Sequence, residues 1–271
     1  MPEISIVRKM HLQMKIKKRI EANRIIGVMG FRNHFSSHPG RHSWDLCGHP
    51  VYWWVLKLAA ETKYIEKILL WTEVEQAWKD AEEMSDKFVI WKRSIEECRE
   101  PQWEFLDDLK TSTSRRNLQE SWLIRKDKIE KLLGFRPTKI VDFAANEPLI
   151  RAEGVNRMIE RYFEDDIAEQ SMMMVRKECP WFYTRNPKYP EYLMHVYHCS
   201  WLETRQEYPD CFNSCGSTLL PFPADKVSSS NRAVFVEVGR DQVCDIHDEE
   251  DLELARFRMQ RRLEIEKKTN E

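Results

Sequence analysis

The chain has 271 residues, of which 42% are hydrophobic and 32% are charged, and its formal net charge is -2. This composition is typical of a globular chain with a sizeable core. It excludes a disordered chain and a nucleic-acid binder that carries a large excess of basic residues. No apolar run approaches the roughly 20 residues that a membrane-spanning helix needs. We therefore expect neither a nucleic acid nor a membrane as a partner.

The first 23 residues are basic, and no apolar stretch there precedes a cleavage site of small residues. A secretory signal peptide is therefore not expected, and a cytoplasmic location is the default. The seven cysteines are scattered and form no Cys-x-x-Cys pair, which is typical of reduced thiols. We treat residues 1–23 as a basic N-terminal extension, either a frayed terminus or a surface helix, and residues 24–271 as a single domain.

Short apolar runs alternate with helical patterns after this extension. The predicted strands are residues 25–30, 68–72, 87–91, 139–143, 171–175, 217–222 and 233–238. The predicted helices are residues 51–62, 74–84, 115–133, 153–163 and 248–267. This alternation favours an α/β protein in which a parallel sheet is covered by helices.

A polar loop, residues 31–50, joins the first strand to the first helix and is rich in Gly, Pro, Ser, His and Arg. A buried strand, a basic loop and a helix start commonly hold phosphates, because backbone N–H groups and Arg side chains converge there. The alternative is a surface connection without chemistry, as most connecting loops are.

Aromatic residues and prolines crowd together between residues 179 and 209. Two interpretations fit this irregular segment. It is an arm, about residues 179–212, that forms a dimer contact, because large rigid rings bury much area at a low entropy cost. Alternatively, it is a satellite core beneath a long loop.

Six short motifs follow one another in a fixed order between residues 24 and 260. They are Arg32 with Pro39-Gly40-Arg41 and Gly48-His49-Pro50-Val51; Ile68-Leu-Leu-Trp-Thr72; Arg93; Asn146-Glu-Pro-Leu-Ile150; Arg205-Gln-Glu-Tyr-Pro209 with Phe212 and Gly216; and Asp245-Ile-His247-Asp-Glu-Glu-Asp-Leu-Glu-Leu-Ala255. In this order they resemble motifs of the sugar-acid cytidylyltransferases, the CMP-sialic acid and CMP-3-deoxy-manno-octulosonic acid synthetases.

The resemblance implies a fold and an activity. The fold is a doubly wound α/β fold of the nucleotide-diphospho-sugar transferase type. Its mostly parallel sheet carries helices on both faces, and the nucleotide binds at the carboxyl ends of the strands. The activity joins CTP to a sugar or sugar acid and releases pyrophosphate. Mg²⁺ and basic side chains neutralise the charge that develops on the phosphates. The resemblance also implies a homodimer formed through the arm.

The resemblance assigns roles to individual residues. The implied catalytic residues are Arg32, Arg41 and Asp245. The implied nucleotide-binding residues are Arg32, Ser36, Gly40, Arg41, His42 and Arg93, with Arg32 and Arg41 on the triphosphate and Arg93 near the base or ribose. The implied substrate-binding residues are Asn146, Arg205, Gln206 and Cys215. The implied metal ligands are Asp245 and His247, for Mg²⁺ or Mn²⁺.

Several positions depart from the family pattern. The loop lysine falls on Ser36, the asparagine after the second basic residue on His42, the metal aspartate on Asn146, the second late aspartate on His247, and the late asparagine on Cys215. Mg²⁺ prefers carboxylate and water oxygens. A softer metal that accepts imidazole, such as Mn²⁺ or Zn²⁺, and a site without metal are therefore both open.

These departures leave the role of the loop histidines and the activity itself open. His34 and His38 read as ordinary loop residues, whereas His42 is either another such residue or a source of positive charge or proton transfer. The chain is either a divergent cytidylyltransferase-like enzyme or a catalytically degenerate relative that acts as a binding or regulatory partner. A nucleotide other than cytidine is a further alternative.

Overall fold

The computed structural model describes residues 3–34, 38–99, 125–177, 183–185, 193–195, 211–222 and 232–270. The elements are α1 (Glu3–Glu21), β1 (Ile25–Gly30), β2 (Asp45–Leu46), β3 (His49–Pro50), α2 (Val51–Glu61), β4 (Lys67–Thr72), α3 (Glu75–Met84), β5 (Phe88–Lys92), α4 (Ile95–Arg99), α5 (Lys126–Leu133), β6 (Lys139–Phe143), α6 (Ala152–Glu164), β7 (Gln170–Lys177), β8 (Tyr183–Arg185), β9 (Leu193–His195), β10 (Cys211–Pro221), β11 (Ala233–Glu237) and α7 (Glu249–Asn270). Each helix in this described part of the chain is too short or too polar to span a bilayer.

Seven strands form the main sheet in the order β11-β7-β10-β6-β1-β4-β5. β5, β4, β1 and β6 are parallel to one another, and β11 is parallel to β7. β10 runs antiparallel to both β6 and β7. The chain order reverses between β1 and β6, and open α/β sheets bind ligands in the crevice at the carboxyl ends of such strands. The predicted doubly wound, mostly parallel fold is confirmed.

The central strand β1 is buried on both faces. Ile25 and Met29 belong to a core cluster that also contains residues of α2 and α6, whereas Ile26 and Val28 belong to a second cluster with Ile129 of α5. Helices therefore cover both faces of the sheet. A strand buried on two sides reads as a continuous apolar run rather than an alternating one, which is why its position was predictable.

The N-terminal extension is helical. Ile16 and Ile20 of α1 are 7% and 6% exposed and belong to the larger core cluster. The Arg19 Nη1 atom donates to the Phe163 carbonyl at 2.6 Å and to Asp166 Oδ1 at 2.8 Å, so that α1 is fastened to the end of α6. The structure therefore agrees with the helical interpretation of this segment, and it adds that one side of the helix is buried.

Three predicted segments differ in extent from the structure or fall partly outside it. β10 begins at Cys211 rather than at residue 217, because its first half extends past β6 and pairs only with β7, across a register shift near Gly216. Of the predicted arm, the structure describes β8 and β9, which form an antiparallel pair, and the first residues of β10. The first half of the predicted helix 115–133 lies outside the described residues. The dimer contact stays a prediction.

Candidate functional site

The loop that follows β1 is held by hydrogen bonds at the carboxyl edge of the sheet. Glu73, directly after β4, accepts hydrogen bonds at Oε1 from the backbone N–H groups of Asn33 and His34, at 2.7 and 3.0 Å. Burial opposes ionisation of Glu73, but these hydrogen bonds outweigh it and lower the pKa of the carboxyl. Sequence reasoning missed this residue, although an acidic residue directly after a buried strand was a usable signal.

The second half of the loop is shaped by Gly40 and anchored by α7. Gly40 has a φ of 81°, a left-handed conformation that suits glycine, and its N–H donates to the Asn33 carbonyl at 3.0 Å. The short 3-10 turn Arg41–Ser43 follows. Further along, Arg256 of α7 donates through Nε and Nη2 to the Asp45 carbonyl at 3.2 and 2.9 Å. The loop is therefore held by hydrogen bonds within its own turn and by hydrogen bonds from the C-terminal helix α7.

A continuous hydrogen-bonded chain, which we call the Arg41–Asn146 chain, crosses the point where the strand order reverses. Arg41 Nη1 lies 2.8 Å from His247 Nδ1, and His247 Nε2 lies 2.8 Å from Asp245 Oδ2. The side-chain amide of Asn146, just after β6, donates to Asp245 Oδ1. Because a guanidinium only donates, Nδ1 accepts and Nε2 carries the hydrogen that is donated to Asp245. The structure thus brings together four of the predicted site residues.

Arg32 lies on the other side of the same loop. Its Nη1 donates to the Cys98 carbonyl of α4 at 2.5 Å, on the β5 side of the crevice, whereas Arg41 reaches toward the segment after β11. The two guanidinium groups therefore flank the loop at one edge of the sheet. Nε of Arg41 is buried without a hydrogen-bond partner among the described residues.

Arg93, just after β5, is 4% exposed. Its guanidinium carbon lies 4.2 Å from the centroid of the Trp71 ring, and its Nη2 donates to the Glu97 carbonyl at 3.0 Å. Burial lowers the pKa of Arg93. Within the described part of the chain, Nε and Nη1 have no partner, and buried unpaired donors are costly. Oxygen or nitrogen acceptors of a ligand would satisfy these two donors. That Arg93 lies near the base or ribose of a nucleotide stays a prediction.

His42 is buried beneath the loop instead of facing solvent. It is 6% exposed, and its ring centroid lies 5.1 Å from that of Phe31. Burial, followed by the positive charge of Arg41, lowers the pKa of His42 to about 4. The ring is therefore neutral at pH 7. This corrects the interpretation in which His42 supplies positive charge, since a buried imidazole beside a guanidinium releases its proton.

Glu147 and Cys215 lie below the Arg41–Asn146 chain in the protein interior. Glu147 Oε2 accepts the Gly216 N–H at 2.7 Å, and burial raises the pKa of Glu147 to about 7. Cys215 is 6% exposed in the larger core cluster, and burial raises the pKa of its thiol to about 12. Its position does not support direct contact with a substrate, because that face of β10 packs inward. Ser36, Arg205 and Gln206 lie outside the described residues.

The donor set around Asp245 does not fit a metal ion held by the protein. Across the described ranges, no group of three or more His, Cys, Asp and Glu side chains gathers around a point where a metal could bind. Both carboxylate oxygens of Asp245 and both ring nitrogens of His247 already form hydrogen bonds within the Arg41–Asn146 chain. The predicted ligands of Mg²⁺ or Mn²⁺, Asp245 and His247, therefore offer one carboxylate between them, whereas hard cations favour several oxygen ligands.

The fold can be compared with known proteins. No protein-family model and no curated protein sequence matches this chain. The 4-diphosphocytidyl-2C-methyl-D-erythritol synthase of Anaerococcus prevotii DSM 20548 is similar in structure, with a TM-score of 0.56 and 12% identity over 89% of this chain and 98% of that one. A second 4-diphosphocytidyl-2C-methyl-D-erythritol synthase gives a TM-score of 0.55 and 10% identity over 88% and 98% of the two chains.

A third similar structure is a CMP:2-keto-3-deoxy-manno-octonic acid synthetase complexed with CTP. Its TM-score is 0.54, at 12% identity over 88% of this chain and 99% of that one. All three neighbours are named as cytidyl-group or CMP-sugar synthetases, and each is matched over nearly its full length. At these identities the likeness establishes the fold, and it agrees with the predicted resemblance to the cytidylyltransferases.

Proposed function

We propose that this chain is a nucleotidyltransferase that activates a sugar or sugar acid with CTP and releases a CMP-sugar and pyrophosphate. The observation that carries this proposal is the Arg41–Asn146 chain, which joins the loop after β1 to the segment after β11 across the reversal in strand order. Supporting it, the same fold occurs in three structures named as cytidyl-group or CMP-sugar synthetases, one of them complexed with CTP.

In the proposed reaction a hydroxyl oxygen of the acceptor bonds to the α-phosphorus of CTP while the bond from that phosphorus to the pyrophosphate oxygen breaks, and the hydroxyl proton passes to solvent water. Arg32 and Arg41 neutralise the phosphate charge, because a planar guanidinium can donate to two phosphate oxygens at once. The hydrogen bond to His247 holds Arg41 in place before the substrate arrives. Positioning and electrostatic stabilisation therefore supply most of the catalysis.

The acceptor is proposed to bind on the β6 and β10 side of the crevice. Asn146 stands at this side, at the end of β6. Arg205 and Gln206 remain the proposed partners of a sugar carboxylate, since a guanidinium pairs well with a carboxylate. We also infer a homodimer through the aromatic arm, because that segment concentrates rings of the kind that interfaces bury.

Titration calorimetry with CTP tests the nucleotide site. We expect the native chain to bind CTP, and both Arg32→Ala and Arg41→Ala to weaken binding. Hydrogen bonds to a charged group contribute about 1.5–3 kcal/mol, which corresponds to roughly 10- to 150-fold in the dissociation constant. Arg136→Ala is the matched control, because Arg136 pairs with Glu130 just before β6, at the opposite edge of the sheet. Absence of binding heat with CTP, ATP, GTP and UTP would refute the proposal.

The second candidate is a catalytically degenerate relative that binds a nucleotide without transferring it. Asn146 and His247 favour this candidate, because they stand where the resembling family has carboxylates. A pyrophosphate-release assay with CTP and a panel of sugar acids separates the two. Release above the rate of a heat-denatured sample rules out the degenerate relative, and CTP binding without release under any acceptor supports it.

A further inference from the structure

The position of His247 points to a function that a metal-ligating carboxylate would not have. We propose that His247 is a positioning residue that joins Asp245 to Arg41, so that the nucleotide triphosphate binds here without a divalent metal ion. This inference rests on the proposed CTP-binding function and specifies how the phosphate charge is neutralised.

The backbone fixes the place of His247. Ile246 is fully buried, and its N–H donates to the Asn146 carbonyl at 3.0 Å. The His247 N–H donates to Asp251 Oδ2 in the first turn of α7 at 2.9 Å. The segment Asp245 to His247 is therefore held between the end of β6 and the start of α7. The imidazole extends from a fixed backbone, and its contacts to Arg41 and Asp245 need little further ordering.

The directions of the hydrogen bonds oppose a dication at Asp245. The imidazole donates to one carboxylate oxygen and the Asn146 amide donates to the other. A metal ion on Asp245 would compete with these donors for the carboxylate charge and would lie one imidazole ring away from the Arg41 guanidinium. Like charges at such a distance repel. The negative charge of Asp245 is thus used to hold a positive side chain through His247.

Arg41 offers what the phosphates need. Nη1 is bound to His247, and because a guanidinium carries five N–H donors, others remain for an anionic ligand. A guanidinium stays protonated at any physiological pH and keeps its charge without a metal. Arg32 provides a second guanidinium on the other side of the loop. The two arginines therefore take over the neutralising function that Mg²⁺ has in many phosphoryl-transfer sites.

The test compares the dissociation constant of CTP in excess EDTA with that in excess Mg²⁺. For the native chain we expect CTP to bind no more than about threefold more tightly in Mg²⁺ than in EDTA, since no protein-held metal contributes and Mg²⁺ bound to free CTP only reduces the charge that the arginines recognise. His247→Ala should weaken binding about tenfold in both buffers, which is the loss of one charge-assisted hydrogen bond. His247→Gln should restore binding, because its amide oxygen accepts from Arg41 while its amide N–H donates to Asp245.

A double variant tests the same inference in the opposite direction. Asn146→Asp with His247→Asp places two new carboxylates beside Asp245, which are ligands that Mg²⁺ prefers. We expect CTP to bind this variant at least about tenfold more tightly in Mg²⁺ than in EDTA. Arg136→Ala again serves as the control that should behave like the native chain in both buffers. Thermal unfolding of each variant confirms that it is folded.

The outcomes separate this inference from the proposed function. If the native chain binds CTP only when Mg²⁺ is present, the inference is overturned and the proposed function stands. If His247→Ala binds CTP as tightly as the native chain, the positioning role is overturned. If the native chain binds neither CTP nor inorganic tripolyphosphate in either buffer, both the inference and the proposed function are overturned.

Discussion

Replacement of Glu147 by glutamine should change how the stability of the protein depends on pH. The Glu147 side chain is 8% exposed, and burial raises its pKa from 4.5 to about 7. The folded chain therefore holds this proton more tightly than the unfolded chain does, and the difference appears between about pH 4.5 and pH 7. As the pH rises through this window, the native carboxyl lowers the free energy of unfolding.

The magnitude follows from the size of the shift. A shift of about 2.5 units at about 1.4 kcal/mol per unit gives a loss of about 3 kcal/mol between pH 4.5 and pH 7. Glutamine can still accept the Gly216 N–H through its amide oxygen, but it cannot ionise. Glu147→Gln should therefore match the native protein near pH 4.5 and exceed its free energy of unfolding by up to about 3 kcal/mol above pH 7.

Urea unfolding of both proteins at several pH values from about 4.5 to 8 measures this difference. Glu82→Gln is the matched control, because it makes the same chemical change at an exposed position on α3. A difference between Glu147→Gln and the native protein that stays constant across the pH range would refute the reasoning.

Three further predictions concern other positions. His42→Gln should have the opposite effect on the pH dependence of stability. Because the folded pKa of His42 is about 4, the free energy of unfolding of the native protein falls by about 3 kcal/mol as the pH decreases from about 6.5 to 4. Urea unfolding should show a smaller loss of stability at acid pH in the variant. Gly216→Ala should lower the melting temperature for two reasons. The φ of 66° is strained for alanine, at about 1–2 kcal/mol of unfolding free energy, and the new Cβ would lie 2.8 Å from Ile150 side-chain atoms, which costs about 1–3 kcal/mol more. Ile20→Ala should lower the free energy of unfolding by about 2–5 kcal/mol, because Ile20 lies in the core, whereas Leu12→Ala should lower it by about 0.5 kcal/mol or less, because Leu12 is 45% exposed. Equal losses for the two variants in denaturant unfolding would contradict the packing of α1.

The fold was predictable because local patterns determine its elements. The apolar runs of β1, β4 and β6 are short, are bounded by polar residues and alternate with helical segments, and this alternation alone indicates a parallel sheet. The assignment of Arg32 and Asn146 to one site came instead from the resemblance to the cytidylyltransferases, and it is compatible with the fold because the carboxyl ends of such strands meet at one edge.

The details of the site depend on contacts that no local pattern contains. Arg41 and His247 are 206 positions apart, and their hydrogen bond depends on where the sheet brings the two segments. The burial of His42 depends on its packing against Phe31, although its polar neighbours in sequence suggest exposure. The early start of β10 was hidden by Ser214 and Gly216, which read as turn residues but lie in a strand that extends past its neighbour.

The attachment of α7 to the loop after β1 has a consequence for how the site forms. Arg256 holds Asp45, and Asp251 holds the backbone of His247, so the start of the C-terminal helix touches two segments that contribute to the Arg41–Asn146 chain. We therefore expect the loop and the helix to unfold locally as one unit, so that native-state hydrogen exchange shows their amides opening together. A perturbation of the C-terminal helix would in this way reach Arg41, which we propose binds the triphosphate.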